Sequence, residues 1–354
     1  MNTALNLVKG QNLAWQERKA ESFVMTPLRC GFDTWLERLD LEVESAKMAK
    51  SGGIGEYAYR PTETYVSPVR LHDNGNQGGM RIGAAMSISG AAASPNMGFH
   101  SVPSLAFLMT FFNVRLGYWA GNPRNNFTWR KPGPSFGFFQ LLSELFGLTD
   151  DEARYVYLSD GGHFENLGLY ELIKRRCKFI VVCDADSDGA YAFGDLANAI
   201  RKCREDIGVE IDISTKNIIP CKPSPANGAN GNAASNSSGG EIQSKMHYAV
   251  GDIKYSLVDP GAKDGILVYL KTSLTGDEPA DVLNYHRQYA SFPHQTTANQ
   301  WFTESQFESY RRLGQHVVES LFEGMEDAAT RDTSEIFDDL RDKCQLGSES
   351  GASD

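Results

Sequence analysis

The sequence predicts an α/β fold, with parallel β-α-β units in its centre and a β-hairpin and helices toward its C-terminus. Three observations carry this. Between residues 155 and 213, short apolar runs alternate with amphipathic helical stretches. Two later apolar runs, "HYAVGDIKYSLV" and "GILVYLKTSL", read as an antiparallel pair. Finally, 354 residues at 41% hydrophobic and 22% charged suffice to bury a sizeable core.

Along the chain, "AESFVMT" (20–26) is bounded by turn-prone residues and reads as a strand. Residues 47–83, rich in Gly, Tyr and Pro, read as a long irregular passage. "RIGAAMSISGAAA" (81–93) suggests a small-residue helix packed closely on a neighbour, and helical spacing recurs over 103–118, with Ser101 as N-cap. The region 101–121 is the most hydrophobic of the chain. Its uncharged part spans about a dozen residues before Arg115, short of the roughly 20 that cross a bilayer. It reads as a buried core helix, the alternative being a helix lying against a membrane surface.

The centre is built from "SFGFFQLLSELFG" (135–147) as a helix, "YVYL" as a strand and "NLGLYELIKRRC" as a helix with cations in its last turn. "KFIVVC" then reads as a buried strand, "FGDLANAIRKCREDIG" (193–208) as a helix and "VEIDI" as a strand. Residues 222–245, rich in Gly, Asn, Ser and Ala, have too little apolar content for a core and form a flexible insertion. A helix over 303–323 leads into an acidic tail, 326–354, whose last residues are expected to be disordered.

A net charge of −11 argues against general nucleic-acid binding, which needs excess Lys and Arg. The six cysteines (30, 177, 183, 203, 221 and 344) form no C-x-x-C pair, and the N-terminus has no signal-peptide pattern; both point to core thiols in a reducing, cytoplasmic setting.

The most informative stretch is "LSDGGHFENLGLYELIKRRCKFIVVCDAD". Asp160 stands where an apolar run stops, and Gly161 and Gly162 permit a sharp turn beside the carboxylate. A plain turn is one reading of this tip. A catalytic carboxylate beyond the end of a strand is the other.

The Asp-Gly-Gly block, together with the earlier "SISGAAASPNMGF", resembles the patatin-like phospholipase and cytosolic-phospholipase superfamily, over about residues 1–325. The likeness is to the C-terminal part of large bacterial patatin-like proteins. It implies a partial patatin-like sheet over 1–221, continued over 246–325, and a serine acyl hydrolase in which Asp160 is the base of a Ser-Asp dyad. Lipid or other ester substrates follow, with a membrane surface as a further contact and no metal or organic cofactor.

This family also uses a G-x-S-x-G elbow and a Gly-rich oxyanion loop upstream. Gly133-Pro134-Ser135-Phe136-Gly137 fits the pattern, but a polar, Pro-broken stretch precedes it and it reads as a loop-to-helix junction. Ser89 and "GGMRIG" (78–83) come in the wrong order for elbow and oxyanion loop and read as structural. The resemblance therefore implies that the serine belongs to an upstream half of the domain, leaving an apolar face for that half or for self-association. A non-catalytic scaffold that retains the half-sheet is the rival function.

A third reading rests on "DADSDGAYAFGD" (184–195). Asp184, Asp186, Asp188, Gly189 and Asp195 follow the calcium-loop order, although a strand precedes them and Asp195 equally suits an N-cap. His163 and Glu165 form only a weak metal pattern. The remaining histidines, 72, 100, 247, 286, 294 and 316, show no ligand spacing.

Overall fold

The computed structural model describes residues 1–7, 18–33, 58–66, 78–93, 116–146, 148–221, 243–297, 299–325 and 327–349. Over these residues the fold is mixed α/β, with two sheets. The chain divides into two compact units, Met1–Gly168 and Leu169–Asp354, so a boundary falls inside the stretch 1–221 that the sequence suggests is continuous.

In the first unit, strands β1 (Asn2–Asn6), β2 (Ala20–Met25), β3 (Arg29–Gly31), β4 (Tyr59–Pro61), β5 (Tyr118–Gly121) and β6 (Tyr155–Asp160) make one sheet in the order β4-β3-β2-β1-β6-β5. Every pairing in it is antiparallel. All six residues of β2 are buried, as suits a strand flanked on both edges. Phe23 at its centre packs 6.1 Å, ring to ring, from both Phe32 and Tyr65. Helix α1 (Ile82–Ser89) turns Ala85 and Ile88 into the same core. Helix α2 (Phe138–Leu145) is different: Phe136, Phe138 and Phe139 touch one another yet stay exposed.

The second unit holds helices α3 (Leu169–Lys174), α4 (Gly194–Ile207), α5 (Ala280–Gln288), α6 (Glu304–Phe322) and α7 (Thr333–Glu349). Its sheet comprises β7 (Phe179–Asp184), β8 (Glu210–Ile213), β9 (Tyr248–Lys254) and β10 (Gly265–Lys271), in the order β7-β10-β9-β8. The central strand β10, "GILVYLK", is buried at all seven positions. Alternation along it sends Ile266, Val268 and Leu270 into a core shared with Val282, Leu313, Val317, Phe337 and Leu340. Each such side chain contributes roughly 1.5–3 kcal/mol when fully buried.

Several expectations hold. β9 and β10 are antiparallel partners, with Val268 opposite Val250. Thr303 caps α6 by accepting a hydrogen bond from Gln306 N at 3.2 Å, close to the helix start read from the sequence.

The series of parallel β-α-β units is corrected. β6 lies between β1 and β5 in the antiparallel sheet, whereas β7 belongs to the other sheet. β8 and β7 sit at opposite edges, and β7 with β10 is the one parallel pair among the described strands. Periodicity reveals which segments are strands, but pairing depends on distant partners. For β6 that partner is β1, whose residues show no strand signal of their own.

The C-terminal stretch is likewise more than a tail. Ile336, Phe337, Leu340 and Cys344 form one stripe of α7, and Phe337 packs 4.8 Å from Phe179. The helical spacing over 103–118 ends in β5, and its residues up to 115 lie outside the described ones, as do 222–242 of the insertion. The six cysteines are free thiols, but Cys183 and Cys221 are exposed and are not core residues. Among the described residues no helix is long and apolar enough to cross a membrane.

Candidate functional site

Asp160 closes β6 opposite Thr3 of β1. Its Oδ1 accepts a hydrogen bond from Gly162 N at 2.8 Å, capping the single 3-10 turn Gly161–His163. Among the described residues no donor bonds the other carboxylate oxygen. The two glycines are required by close approach: a Cβ on Gly161 would meet the Asn2 carbonyl oxygen at 2.7 Å, and one on Gly162 would meet Asn166 Oδ1 at 2.8 Å.

Behind this tip lies a buried polar chain. Asn6 Nδ2 donates to Ser159 Oγ at 2.8 Å, and Ser159 Oγ lies 2.8 Å from His163 Nδ1. His163 Nε2 is 3.2 Å from the Ala92 carbonyl, which can only accept. Nε2 therefore carries the proton, Nδ1 accepts, and the Ser159 hydroxyl donates to it. Ser159 has no solvent exposure, so this Ser-His pair anchors the turn and does not meet substrate. Both ring nitrogens of His163 are engaged in these bonds, and Glu165 Oε1 accepts from Leu167 N at 2.6 Å, so the histidine of the 163/165 pattern is already committed within the fold.

The structure brings the two motif blocks together. Asp160 N donates to Ala91 O at 3.3 Å, His163 reaches Ala92, and Ser89 Oγ donates to Asn2 O at 2.7 Å. Residues 89–92 thus lie against 159–163. Ser135 is elsewhere in sequence context: it sits in an exposed bend just before α2, after a loop and not after a strand.

In the second unit, the acidic loop follows the carboxyl end of the parallel pair, where Asp184 on β7 faces Lys271 on β10. Asp184 and Lys271 are 2% and 1% exposed and form an ion pair, Nζ to Oδ1, at 2.8 Å. Asp184 Oδ1 also accepts from Asp186 N at 2.9 Å, and Oδ2 from the Tyr269 hydroxyl at 2.5 Å. Burial, then the neighbouring Asp184, pushes the Tyr269 phenol far up, which keeps it a donor. Asp184, Asp186, Asp188, Asp195 and Lys271 line a cleft of about 190 Å³.

This is not calcium-loop geometry. Asp188 spends its carboxylate on Ala192 N and Phe193 N, at 2.9 and 2.8 Å, in the turn before α4, while the N-cap position falls to Phe193 and Asp195 lies in the first turn of the helix. The Lys271 ammonium also donates to Asp186 O at 3.3 Å, supplying positive charge from within the chain.

Sequence reasoning missed one constellation altogether. His247, Asp277, Glu278 and His316 come from three separate segments, and their ligand-type atoms lie within 4.8 Å of one another. Only the adjacent pair Asp277-Glu278 is visible as a pattern in one dimension. Compared with known proteins, the chain matches no family model, no curated protein and no solved structure.

Proposed function

We propose that the chain carries the carboxylate part of a serine acyl-hydrolase site, with Asp160 as the base. The observation that supports this reading is the packing of residues 89–92 against 159–163, which unites the two blocks whose order first suggested the chemistry. In that reaction Asp160 takes the serine proton as the serine oxygen attacks an ester carbonyl, and gives it to the alcohol that leaves as the acyl-enzyme forms. Water, deprotonated by Asp160, then releases the acid, and the serine recovers its proton. Lipid esters are the substrate class, and the exposed phenylalanines 136, 138 and 139 offer apolar surface that an acyl chain or a packing partner would cover.

One observation favours a scaffold instead: Asp160 already caps a turn, in an antiparallel sheet. The test is hydrolysis of a short-chain ester, with serine labelling by a fluorophosphonate, in wild type and Asp160→Asn, each combined with the serine-bearing half of the domain that this reading requires. An amide oxygen can still accept from Gly162 N, so the variant keeps the turn. Loss of both signals by roughly 10²–10⁴-fold is expected for a general base. Equal turnover and labelling in the two proteins, with the serine-bearing half present, would refute Asp160 as the base and favour the scaffold.

A further inference from the structure

Among the described residues, the second unit contains a buried carboxylate with no Lys or Arg beside it. The Glu278 side chain has no solvent exposure. Its Oε1 accepts from Thr275 N at 2.6 Å and its Oε2 from Gly276 N at 2.9 Å, so backbone donors fix its position. Among the described residues, the ion-pair partners of Glu278 and Asp277 are two histidines and no Lys or Arg. The contrast with Asp184, neutralised by Lys271 in the same unit, is instructive. A buried charge left unpaired is costly, and proteins usually pair it or give it a metal.

From these groups we infer a binding site for one zinc-class divalent transition-metal ion, held by His247 Nε2, His316 Nε2, Asp277 Oδ1 and Glu278 Oε1. It is independent of the acyl-hydrolase reading. His247 stands just before β9, Asp277 and Glu278 lie in the turn between β10 and α5, and His316 projects from α6. An ion here would tie three segments together.

The geometry suits a four-coordinate ion. Bonds of about 2.0–2.2 Å to nitrogen and oxygen imply ligand–ligand edges of roughly 3.4 Å in a tetrahedron. His316 Nε2 and Asp277 Oδ1 are already 3.2 Å apart, and His247 Nε2 and Glu278 Oε1 are 3.9 Å apart. No two of the ligand atoms are more than 4.8 Å apart, a span that closes with shifts of about an ångström. The two imidazoles stand at 86° with centroids 5.4 Å apart, so they are not stacked face to face.

The supporting shell is also present. His247 Nδ1 lies 3.0 Å from the buried Ser273 hydroxyl, which orients the ring as outer-shell partners of metal-bound histidines do. Thr275 Oγ1 touches His247 Nε2, Asp277 Oδ1 and Glu278 Oε1, at 3.0, 2.5 and 3.2 Å, through contacts that the ion would replace. Gly276 makes the turn possible at φ +94°, where a Cβ would also strike Gln243. Asp277 is 72% exposed at its side chain, so an ion can enter from solvent. Two imidazoles with two carboxylates favour zinc over calcium or magnesium, which take oxygen ligands.

The full-length chain, stripped with chelator, is titrated with Zn²⁺ while its melting is followed, and with Co²⁺ while its visible spectrum is recorded. One Zn²⁺ per chain should raise the melting temperature, and Co²⁺ should give tetrahedral d–d bands without thiolate charge transfer. His316→Ala and the exposed Asp277→Asn should abolish both, and Ser273→Ala should weaken affinity about 10–100-fold. The Asp277 variant keeps the test open if His316→Ala does not fold. The inference is overturned if Zn²⁺ leaves wild type unchanged, if both ligand variants respond like wild type, if Ca²⁺ or Mg²⁺ acts equally, or if the cobalt spectrum reports cysteine.

Discussion

Replacing Lys271 with Met isolates the charge of the buried pair at the head of β7 and β10. The methionine keeps most of the apolar stem, so packing changes little while the ammonium is lost. Asp184 would then be a 2%-exposed carboxylate without its counter-ion. Breaking a buried pair in this way costs about 3–5 kcal/mol. Two other bonds to Asp184 survive, from the Tyr269 hydroxyl and Asp186 N, which places the expected cost near the lower end, about 3 kcal/mol. For a unit of this size, each kcal/mol lowers the melting temperature by roughly 2–4 °C, so the expected fall is about 6–12 °C. Calorimetry is the suitable assay, since two units can give two transitions and only the one belonging to the second should move. The double variant Asp184→Asn/Lys271→Met removes both charges and should regain most of the loss. A Lys271→Met protein within about 1 kcal/mol of wild type would refute the reasoning, because the pair would then have to be hydrated.

Two further outcomes are expected. Gly161→Ala should destabilise the first unit by about 1–3 kcal/mol, since its Cβ meets backbone at Asn2; Gly162→Ala should cost less, because it meets only the tips of the Asn166 and Asp160 side chains. Chemical denaturation that ranks them the other way would contradict the described turn. His294 is held below its usual range, first by burial and then by the Lys271 ammonium, while Asp184, Asp186 and Asp188 oppose this. Its folded form therefore binds a proton less readily than the unfolded chain. That part of the stability is complete above about pH 6.5 and falls as the pH drops below it. Melting followed from pH 7.5 to 5.5 should fall less steeply in His294→Gln, and equal slopes would remove His294 from the account.

How much was legible in one dimension differs between the two units. The strands β6, β7, β8, β9 and β10 and the helices α2, α3, α4 and α6 show in their apolar runs and spacing, β2 shows by the turn-prone residues around it, and α1 by its small residues. Asp160-Gly161-Gly162 is equally plain as a turn, because Gly beside Asp has few other uses at the end of an apolar run. What spacing does not carry is neighbour choice. β6 pairs with β1, about 150 positions away, through backbone groups that every residue possesses. The helix α7 was obscured by its many acidic residues, although its buried stripe is visible once Phe179 supplies a surface to face.

The candidate sites divide along the same line. The carboxylates of Asp160 and Asp184 are sequence features, since each ends a strand and is followed by turn residues. Their surroundings are decided by folding: Ala91 and Ala92, just after α1, come to Asp160 and His163, and Lys271 arrives at Asp184 from 87 positions further along the chain. His247, Asp277, Glu278 and His316 are the extreme case, drawn from a strand start, a turn and a helix. Local composition determines which segments become strands, helices and turns, because those preferences act over a few residues. Which charges meet is set by long-range packing, and only the folded chain reveals that.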